Sequence, residues 1–204
     1  SLAIFNEGRF VHADYMPIGG HHVTLDLARG LSCGIDEAER LKTMHGSVVP
    51  TSMDETDTIQ LAGIGHGDVA GGQQVARALV NRIIAARVEE TLEMLRDQIN
   101  SSGCSSIVGK RVVLTGGASQ LTGLADMARR VLGRNVRIGR PLGVKGLPTS
   151  TKGPAFSSAV GLLVYPQAND QDQSLNSYRH MAGLTATGTE GPIGRVTQWI
   201  KQSF

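Results

Sequence analysis

A glycine-rich turn in the second half of the chain carries residue types that suit recognition of a nucleoside. Residues Val112-Val113-Leu114-Thr115-Gly116-Gly117-Ala118 form an apolar, strand-like run that ends in a glycine pair before a helical segment. Glycines at this point let the main chain approach a flat ligand that a Cβ atom would block, and a helix N-terminus tolerates negative charge. The pattern predicts a backbone platform for a ligand, although a tight strand-to-helix turn in any α/β fold has the same pattern.

A charged pair upstream of this turn supplies candidate side chains for the same ligand. Glu39 and Lys42 lie three residues apart within Ala38–Lys42, so they share one face of a predicted helix. A carboxylate and an ammonium group projected together can hold a ribose and the edge of an adenine. A solvated ion pair on the surface is the alternative interpretation, because most such charges are found there.

Alternating strand-like and helix-like segments must position these residues, and they predict an α/β fold. Asp36 is a candidate helix N-cap, with Glu39 three residues later in a capping-box arrangement. The predicted strands are Ser1–Phe5, Arg9–Ile18, Arg111–Thr115 and Val136–Ile138, and the predicted helices are His22–Leu31, Ile35–His45, Gln73–Ile99, Leu121–Leu132 and Pro154–Tyr165.

Composition excludes several classes of protein. The 204 residues carry a net charge of +2 and no Lys/Arg cluster with interleaved aromatics, which argues against a nucleic-acid partner. No apolar stretch approaches the roughly 20 residues that span a bilayer, and the histidines and cysteines form no metal-binding pattern. Cys33 and Cys104 fit buried thiols better than a disulfide framework. The chain opens on Ser1 rather than Met, which we interpret as a fragment of a longer protein.

The composition of the chain changes at Pro166. The segment from Gln167 to Gly191 is polar and predicts a flexible linker. Beyond it, five apolar side chains fall on one side of a helix while cations flank them, a pattern typical of a helix that lies in a membrane interface. Packing on its own domain or on a partner is the alternative. The predicted membrane-binding residues are Ile193, Arg195, Val196, Trp199, Ile200, Lys201 and Phe204.

The order of these features resembles the second half of the actin/chaperone-type ATPases, and most closely the FtsA family of cell division proteins. The motifs that carry the resemblance are Gly20–Ala28, Arg87–Glu90, Val136–Pro141, the Thr-Gly-Gly turn and Ser158–Tyr165. The resemblance implies an actin-like ATPase fold (ribonuclease H-like), represented by its second domain with a small outer subdomain and a C-terminal amphipathic helix. It implies a core subdomain at 1–42 and 111–165, an outer subdomain at 43–110, a linker at 166–190 and a membrane-targeting helix at 191–204.

By the same resemblance, Glu39 and Lys42 would contact ribose and adenine, and Gly116 and Gly117 would line the adenosine pocket. ATP with Mg²⁺ is the implied cofactor of the full-length protein. The family's phosphate loops lie outside this sequence, so we expect ATP binding by this chain to be weak or absent. We identify no catalytic residue and expect at most a weak ATPase in the full-length protein, with this chain alone inactive.

The implied cellular role is to anchor the FtsZ ring to the cytoplasmic face of the bacterial inner membrane at the division site and to recruit other divisome proteins. The implied partners are the C-terminal tail of FtsZ, further copies in actin-like filaments and an anionic membrane surface. Two alternatives remain open at this point, a PilM-like pilus-assembly adaptor and a sugar or small-molecule kinase of the same superfamily. The residues predicted to project from the long helix and to meet the FtsZ tail are Arg77, Asn81, Arg82 and Arg87.

Overall fold

The computed structural model describes residues 1–61, 73–104, 107–142 and 144–165. The chain divides into two units, Ser1–Leu163 and Val164–Phe204. The first unit contains the candidate site, and in the second only Val164 and Tyr165 belong to the described residues. The predicted linker at 166–190 and the predicted helix at 191–204 therefore lie outside the described part of the chain.

The first unit combines strands and helices, so the predicted α/β class is confirmed. Short 3₁₀ helices at Ser52–Glu55, Gly117–Gln120, Thr149–Thr151 and Pro154–Phe156 connect the larger elements. The strands are β1 (Leu2–Asn6), β2 (Arg9–Asp14), β3 (Thr58–Gln60), β4 (Gln74–Ala76), β5 (Arg111–Leu114) and β6 (Asn135–Ile138), and the helices are α1 (Gly20–Gly30), α2 (Ile35–His45), α3 (Arg77–Ser101), α4 (Leu124–Leu132) and α5 (Ser157–Val164).

The described strands pair two by two. β1 and β2 form an antiparallel hairpin in which Ile4 faces His12, and a bulge follows at Phe5. β3 and β4 are antiparallel, with Ile59 opposite Val75. β5 and β6 are parallel, and α4 makes the crossover that a parallel pair requires. The Thr-Gly-Gly turn follows directly on β5, so it lies at the C-terminal end of that strand.

The hydrophobic core lies where the first four helices meet. Leu27 of α1, Leu41 of α2, and Val80 and Ile84 of α3 are completely buried, and Ala128 of α4 joins them. On α3 the buried positions recur every four residues from Val80 to Leu92, because one stripe of a 25-residue helix faces the other elements. The core therefore fixes α1 and α2, which carry the candidate side chains, against α3.

Several sequence predictions differ from the structure at element boundaries. The N-cap of α2 is Gly34, without a side-chain cap, so the predicted capping box of Asp36 and Glu39 is wrong. The helix predicted from Gln73 begins only at Arg77, because Gln74–Ala76 pairs with β3 as a strand. The helix predicted from Leu121 begins at Leu124, because Gly123 has a φ of 81° that interrupts helical geometry.

Candidate functional site

A cleft of about 1150 Å³ opens beside the N-terminal end of α1. Glu39 and Lys42 of α2 line it together with Gly117 of the turn after β5, so the structure brings three of the four predicted cofactor-binding residues to one cavity. Gly20 and Ala118 line the same cavity. A charged pair and a glycine turn, separated by some 75 residues of sequence, thus face a common space.

The charged pair belongs to a trio that links α1 to α2. The Lys42 ammonium donates to Glu39 Oε2 at 2.6 Å and to Thr24 Oγ1 at 2.8 Å. Thr24 in turn donates its hydroxyl hydrogen to the same Glu39 oxygen at 2.5 Å. The Lys42 ammonium also donates a hydrogen bond to the carbonyl oxygen of Gly20 at 3.2 Å. The pair is therefore not the solvated surface pair of the alternative interpretation, since Lys42 is buried and tied to another helix.

Glu39 carries negative charge at the edge of the cleft. Burial raises the pKa of this carboxyl, but the hydrogen bonds from Lys42 and Thr24 and the positive charge of Lys42 outweigh that effect, and the net pKa is lowered. Its side chain is 47% exposed. Among the described residues, only Oε2 has hydrogen-bond partners. Oε1 remains as an acceptor for a donor that enters the cleft.

The glycine turn after β5 has a backbone that only its first glycine allows. Gly116 has φ 96° and ψ 168°, a region that side-chain-bearing residues essentially do not occupy. Its N–H donates to the Pro154 carbonyl at 3.1 Å. Gly117 lies within ordinary backbone geometry, and an added Cβ would meet only Ala155 at 3.9 Å. Gly116 therefore shapes the turn, whereas Gly117 presents bare backbone to the cavity.

Gly20 lets α1 approach this turn closely. A Cβ atom on Gly20 would lie 2.8 Å from the Cβ of Ala118, a separation that real Cβ atoms do not adopt. The first turn of α1 and the turn after β5 are thus in direct contact only because position 20 lacks a side chain. Two sides of the cleft meet at this point.

These features fit the nucleoside part of the implied cofactor. Bare backbone at Gly117 offers a surface for a flat base, and the unpartnered Glu39 oxygen offers an acceptor for a sugar hydroxyl. Among the described residues, no group of three or more His, Cys, Asp or Glu side chains is arranged to hold a metal ion.

The four residues predicted to meet a partner peptide have different environments. Asn81 is buried, donates to Asp54 at 3.0 Å and accepts from the Ser47 N–H at 3.0 Å, so the expectation that it projects from the helix is wrong. Arg87 pairs with Asp26 and with Glu90, and Arg77 lies between Asp54 and Asp57. Arg82 is exposed, and none of the ion pairs among the described residues includes it.

Sequence reasoning did not single out Thr24. Its hydroxyl is completely buried between α1 and α2. A signal was present, because Thr24 lies among the buried residues Val23 and Leu27 on the core face of α1, where a polar side chain needs a partner. The identity of that partner depended on how α2 packs, which local pattern does not reveal.

The predicted membrane-binding residues, from Ile193 to Phe204, lie outside the described part of the chain. Within the described part, no helix has the length and apolarity that crossing a membrane requires.

Comparison with known proteins gives consistent matches. The family model described as cell division protein FtsA matches residues 1–161. Cell division protein FtsA of Rhizobium meliloti (strain 1021) is 57% identical over 205 residues, covering all of this chain and 46% of that protein. The protein of the same name from Agrobacterium fabrum is 55% identical over 206 residues, with the same coverage. The one from Neisseria meningitidis serogroup B is 29% identical over 204 residues, covering 48% of its length.

The chain therefore spans about half the length of the curated relatives that it matches. Among solved structures, the ethanolamine utilization protein EutJ from Carboxydothermus hydrogenoformans matches with a TM-score of 0.49 and 18% identity, covering 78% of this chain and 42% of that one. A likeness at this level assigns no ligand and no activity.

Proposed function

This chain belongs to the FtsA family of cell division proteins, and on that premise we propose that it is part of an actin-like, ATP-binding protein that anchors the FtsZ ring to the cytoplasmic membrane. The observation that carries the proposal is the cleft beside α1. There Glu39, held by Lys42, and the bare backbone of Gly117 line one cavity. This cleft would hold the adenosine part of ATP, and the phosphates and Mg²⁺ would depend on residues outside this sequence.

ATP in this proposal is first a conformational ligand. Phosphoryl transfer depends on positioned charges around the transferred phosphate, and in this proposal the described residues would contact the nucleoside. Binding at that end would bias how the protein associates with further copies of itself into actin-like filaments and with other divisome proteins. A ligand can bias such an equilibrium only by binding one state better than the other.

The second part of the proposal concerns the FtsZ tail, which would dock on the outer subdomain at 43–110. Arg82 is the predicted contact whose side chain is best placed for this role, because it is exposed on α3. A cationic side chain there would favour an acidic, partly apolar peptide and would chiefly raise its association rate. Arg77 and Arg87 are engaged with carboxylates of the chain itself, so they would contribute only if those pairs opened.

The third part is attachment to the cytoplasmic face of the inner membrane at the division site. An amphipathic helix at 191–204, joined to the core through a linker at 166–190, would lie in the headgroup region with Trp199 and Phe204 inserted.

The family model that matches residues 1–161 is that of cell division protein FtsA. This match favours the present proposal over the two alternatives named from the sequence, a pilus-assembly adaptor and a small-molecule kinase.

Binding of a peptide from the FtsZ C-terminus tests the proposed function. The 204-residue chain is titrated into the fluorescently labelled peptide, with a scrambled peptide as control, and fluorescence anisotropy is measured. We expect saturable binding of the native peptide alone, weakened about tenfold or less by Arg82→Glu because a rim charge acts modestly. Equal binding of both peptides, or of neither, would contradict the FtsZ assignment.

A further inference from the structure

We infer that the end of the β5–β6 pair opposite the Thr-Gly-Gly turn contacts an anionic lipid surface and gives the chain a second, electrostatic attachment to the membrane. The inference rests on the proposed membrane attachment and goes further, because it assigns a lipid contact to the folded unit in addition to the predicted helix at 191–204. The cations of this basic end are Lys110, Arg111, Arg130, Arg134 and Arg137.

The course of the chain brings these cations together. α4 ends at Leu132 and β6 begins at Asn135, so the last turn of the helix lies beside the start of this strand. β5 begins at the same level, because Arg111 is opposite Asn135 in the parallel register. The Thr-Gly-Gly turn follows the other end of β5, so the basic end lies away from the nucleoside cleft.

Two of the arginines share the outer face of the strand pair. The register places Arg111 beside Asn135 and Arg137 beside Val113, and residues paired across neighbouring strands, like those two apart on one strand, point to the same face. All four are exposed. Arg111 and Arg137 are therefore diagonal neighbours on an open surface, where their like charges repel each other.

The other three cations surround the start of the same strands. Lys110 immediately precedes β5 and is exposed, and Arg130 is exposed in the last turn of α4. The Arg134 guanidinium donates to the carbonyl oxygens of Val108 at 3.2 Å and Gly109 at 2.6 Å, which holds it next to the segment that leads into β5. Neutral carbonyls leave its charge uncompensated.

Carboxylates do not offset this concentration of charge. Residues 107–142 contain seven cations and a single acidic residue, Asp126, which pairs with Arg129. None of the ion pairs among the described residues includes a cation of the basic end. The dipole of α4 favours Arg130 in its last turn, but it gives no reason for the cations on the strands. In residues 1–104, by contrast, five of eight cations pair with a carboxylate, namely Arg40, Lys42, Arg77, Arg87 and Arg96.

The side chains beside these cations favour a lipid surface as the partner. Ile107 is 42% exposed and Val113 is 49% exposed, and Val113 lies on the face that carries Arg111 and Arg137. Cations interspersed with apolar side chains suit the headgroup region, where the cations meet anionic phosphates and the apolar groups insert. Residues 107–142 contain no Phe, Trp, Tyr or His, so they offer no platform on which the bases of a nucleic acid would stack.

Co-sedimentation of the 204-residue chain with lipid vesicles tests the inference. The vesicles contain phosphatidylcholine alone, or phosphatidylcholine and phosphatidylglycerol in roughly equal parts. The variant Arg130→Gln/Arg137→Gln removes one charge from α4 and one from β6. Because each cation near an anionic surface strengthens binding roughly fivefold, we expect this variant to bind the mixed vesicles about tenfold or more weakly than the unaltered chain. Binding to phosphatidylcholine alone should not change.

A matched control removes the same net charge elsewhere. Arg9 begins β2 and Arg29 lies in the last turn of α1, both are exposed, and no ion pair of the described residues includes either. Arg9→Gln/Arg29→Gln should bind the mixed vesicles within about twofold of the unaltered chain, and so should Arg130→Lys/Arg137→Lys, which keeps the charge. Raising the salt from about 0.05 to about 0.5 M should remove the difference between the two glutamine variants.

The possible outcomes separate this inference from the proposed function. If both glutamine variants lose affinity equally, or if neither does, the basic end has no special role and the inference fails while attachment through the helix stands. Self-association of the unaltered chain in sedimentation velocity, lost in Arg130→Gln/Arg137→Gln while vesicle binding is kept, would show that this end contacts a second copy instead. If the unaltered chain binds neither kind of vesicle, the proposed membrane attachment fails together with the inference.

Discussion

At the scale of single residues, the two glycines of the turn after β5 have different physical reasons to be glycine. Gly116 is needed for its backbone conformation, with φ at 96°, whereas Gly117 has ordinary geometry and lines the cleft. Sequence reasoning treated both as pocket residues, because a Gly-Gly pair carries no information on which member needs a positive φ. The structure separates a shaping residue from a lining residue.

We expect Gly116→Ala to destabilise the fold by about 1–3 kcal/mol, the usual cost of forcing a side-chain-bearing residue into this region. Gly117→Ala should change stability by less than about 0.5 kcal/mol, because the added Cβ would meet Ala155 at an ordinary 3.9 Å. The same methyl group would narrow the cleft, so we expect it to weaken adenosine binding. Urea denaturation measures the stability of both variants, and titration with adenosine measures the change in binding. Equal stability losses in the two variants would contradict this division of roles.

Asp54 is one of the acidic residues whose pKa is lowered in the folded chain. The N–H of Thr51 donates to its carboxylate at 2.9 Å, and this bond lowers the pKa of Asp54. Hydrogen bonds from the Thr51 hydroxyl and from Asn81, and the positive charge of Arg77, lower the pKa further, whereas burial raises it. A carboxyl with a lowered folded pKa stabilises the fold fully above its unfolded pKa of about 3.9, and that contribution is lost as the pH falls through the lower folded value.

We therefore expect the free energies of unfolding of the unaltered chain and of Asp54→Asn to converge as the pH falls from 6 to 3. The other carboxylates are common to both proteins and cancel in the difference. Chemical denaturation at several pH values provides the measurement. A difference that stays constant over this range would mean that Asp54 has the same pKa in the folded and unfolded states.

At the scale of elements, the described boundaries show which features local sequence determines. The predicted bounds of α2, Ile35–His45, agree with the structure, because Gly34 and Gly46 flank an uninterrupted helical pattern. The start of α3 was missed, since Gln74–Ala76 becomes a strand only through pairing with β3, a partner distant in sequence. Asn81 was misplaced for the same reason, because its burial depends on Ser47 and Asp54.

One ion pair joins α1 to α3 at the scale of packed helices. Arg87 of α3 bonds Asp26 of α1, and the two side chains are only 25% and 20% exposed. Hydrogen bonds to charged groups in such places contribute about 1.5–3 kcal/mol. Asp26 lies on α1, the helix that also carries Thr24, whose hydroxyl bonds Glu39. The pair thereby ties α3 to α1, the helix beside which the cleft opens.

We expect Arg87→Met to destabilise the fold by about 1–3 kcal/mol, while the exposed control Arg82→Met stays within about 0.5 kcal/mol. Methionine keeps the apolar stem of arginine, so the loss reports the charge and its bonds. In the double variant with Asp26→Asn, the two losses should not add, because each single change already breaks the pair. Additive losses in urea denaturation would mean that the two residues act independently.

At the scale of the whole molecule, the structure describes the cleft in the chain up to residue 165, whereas the helix at 191–204 is predicted from the sequence. Glu39, Lys42 and the glycine turn were predicted to lie at one site; Glu39, Lys42 and Gly117 line one cleft, and Thr24 bonds both Glu39 and Lys42. The membrane helix rests on sequence pattern and family resemblance, since it lies outside the described residues. A one-sided set of five apolar side chains at 193–204 is nevertheless specific enough to set an expected strength of binding.

Burial of five apolar side chains gives roughly 7–15 kcal/mol before costs, and ordering about a dozen residues costs about 1–2 kcal/mol each. The two terms nearly cancel, so a single copy of residues 186–204 fused to a fluorescent protein should bind anionic vesicles weakly and reversibly. A tandem copy should bind far more tightly, because the second helix engages at a high effective concentration, as neighbours in a filament would. Vesicle co-sedimentation measures both fusions, with Trp199→Glu as the control that should abolish binding. Equal binding of the single and tandem fusions would exclude avidity as the means of attachment.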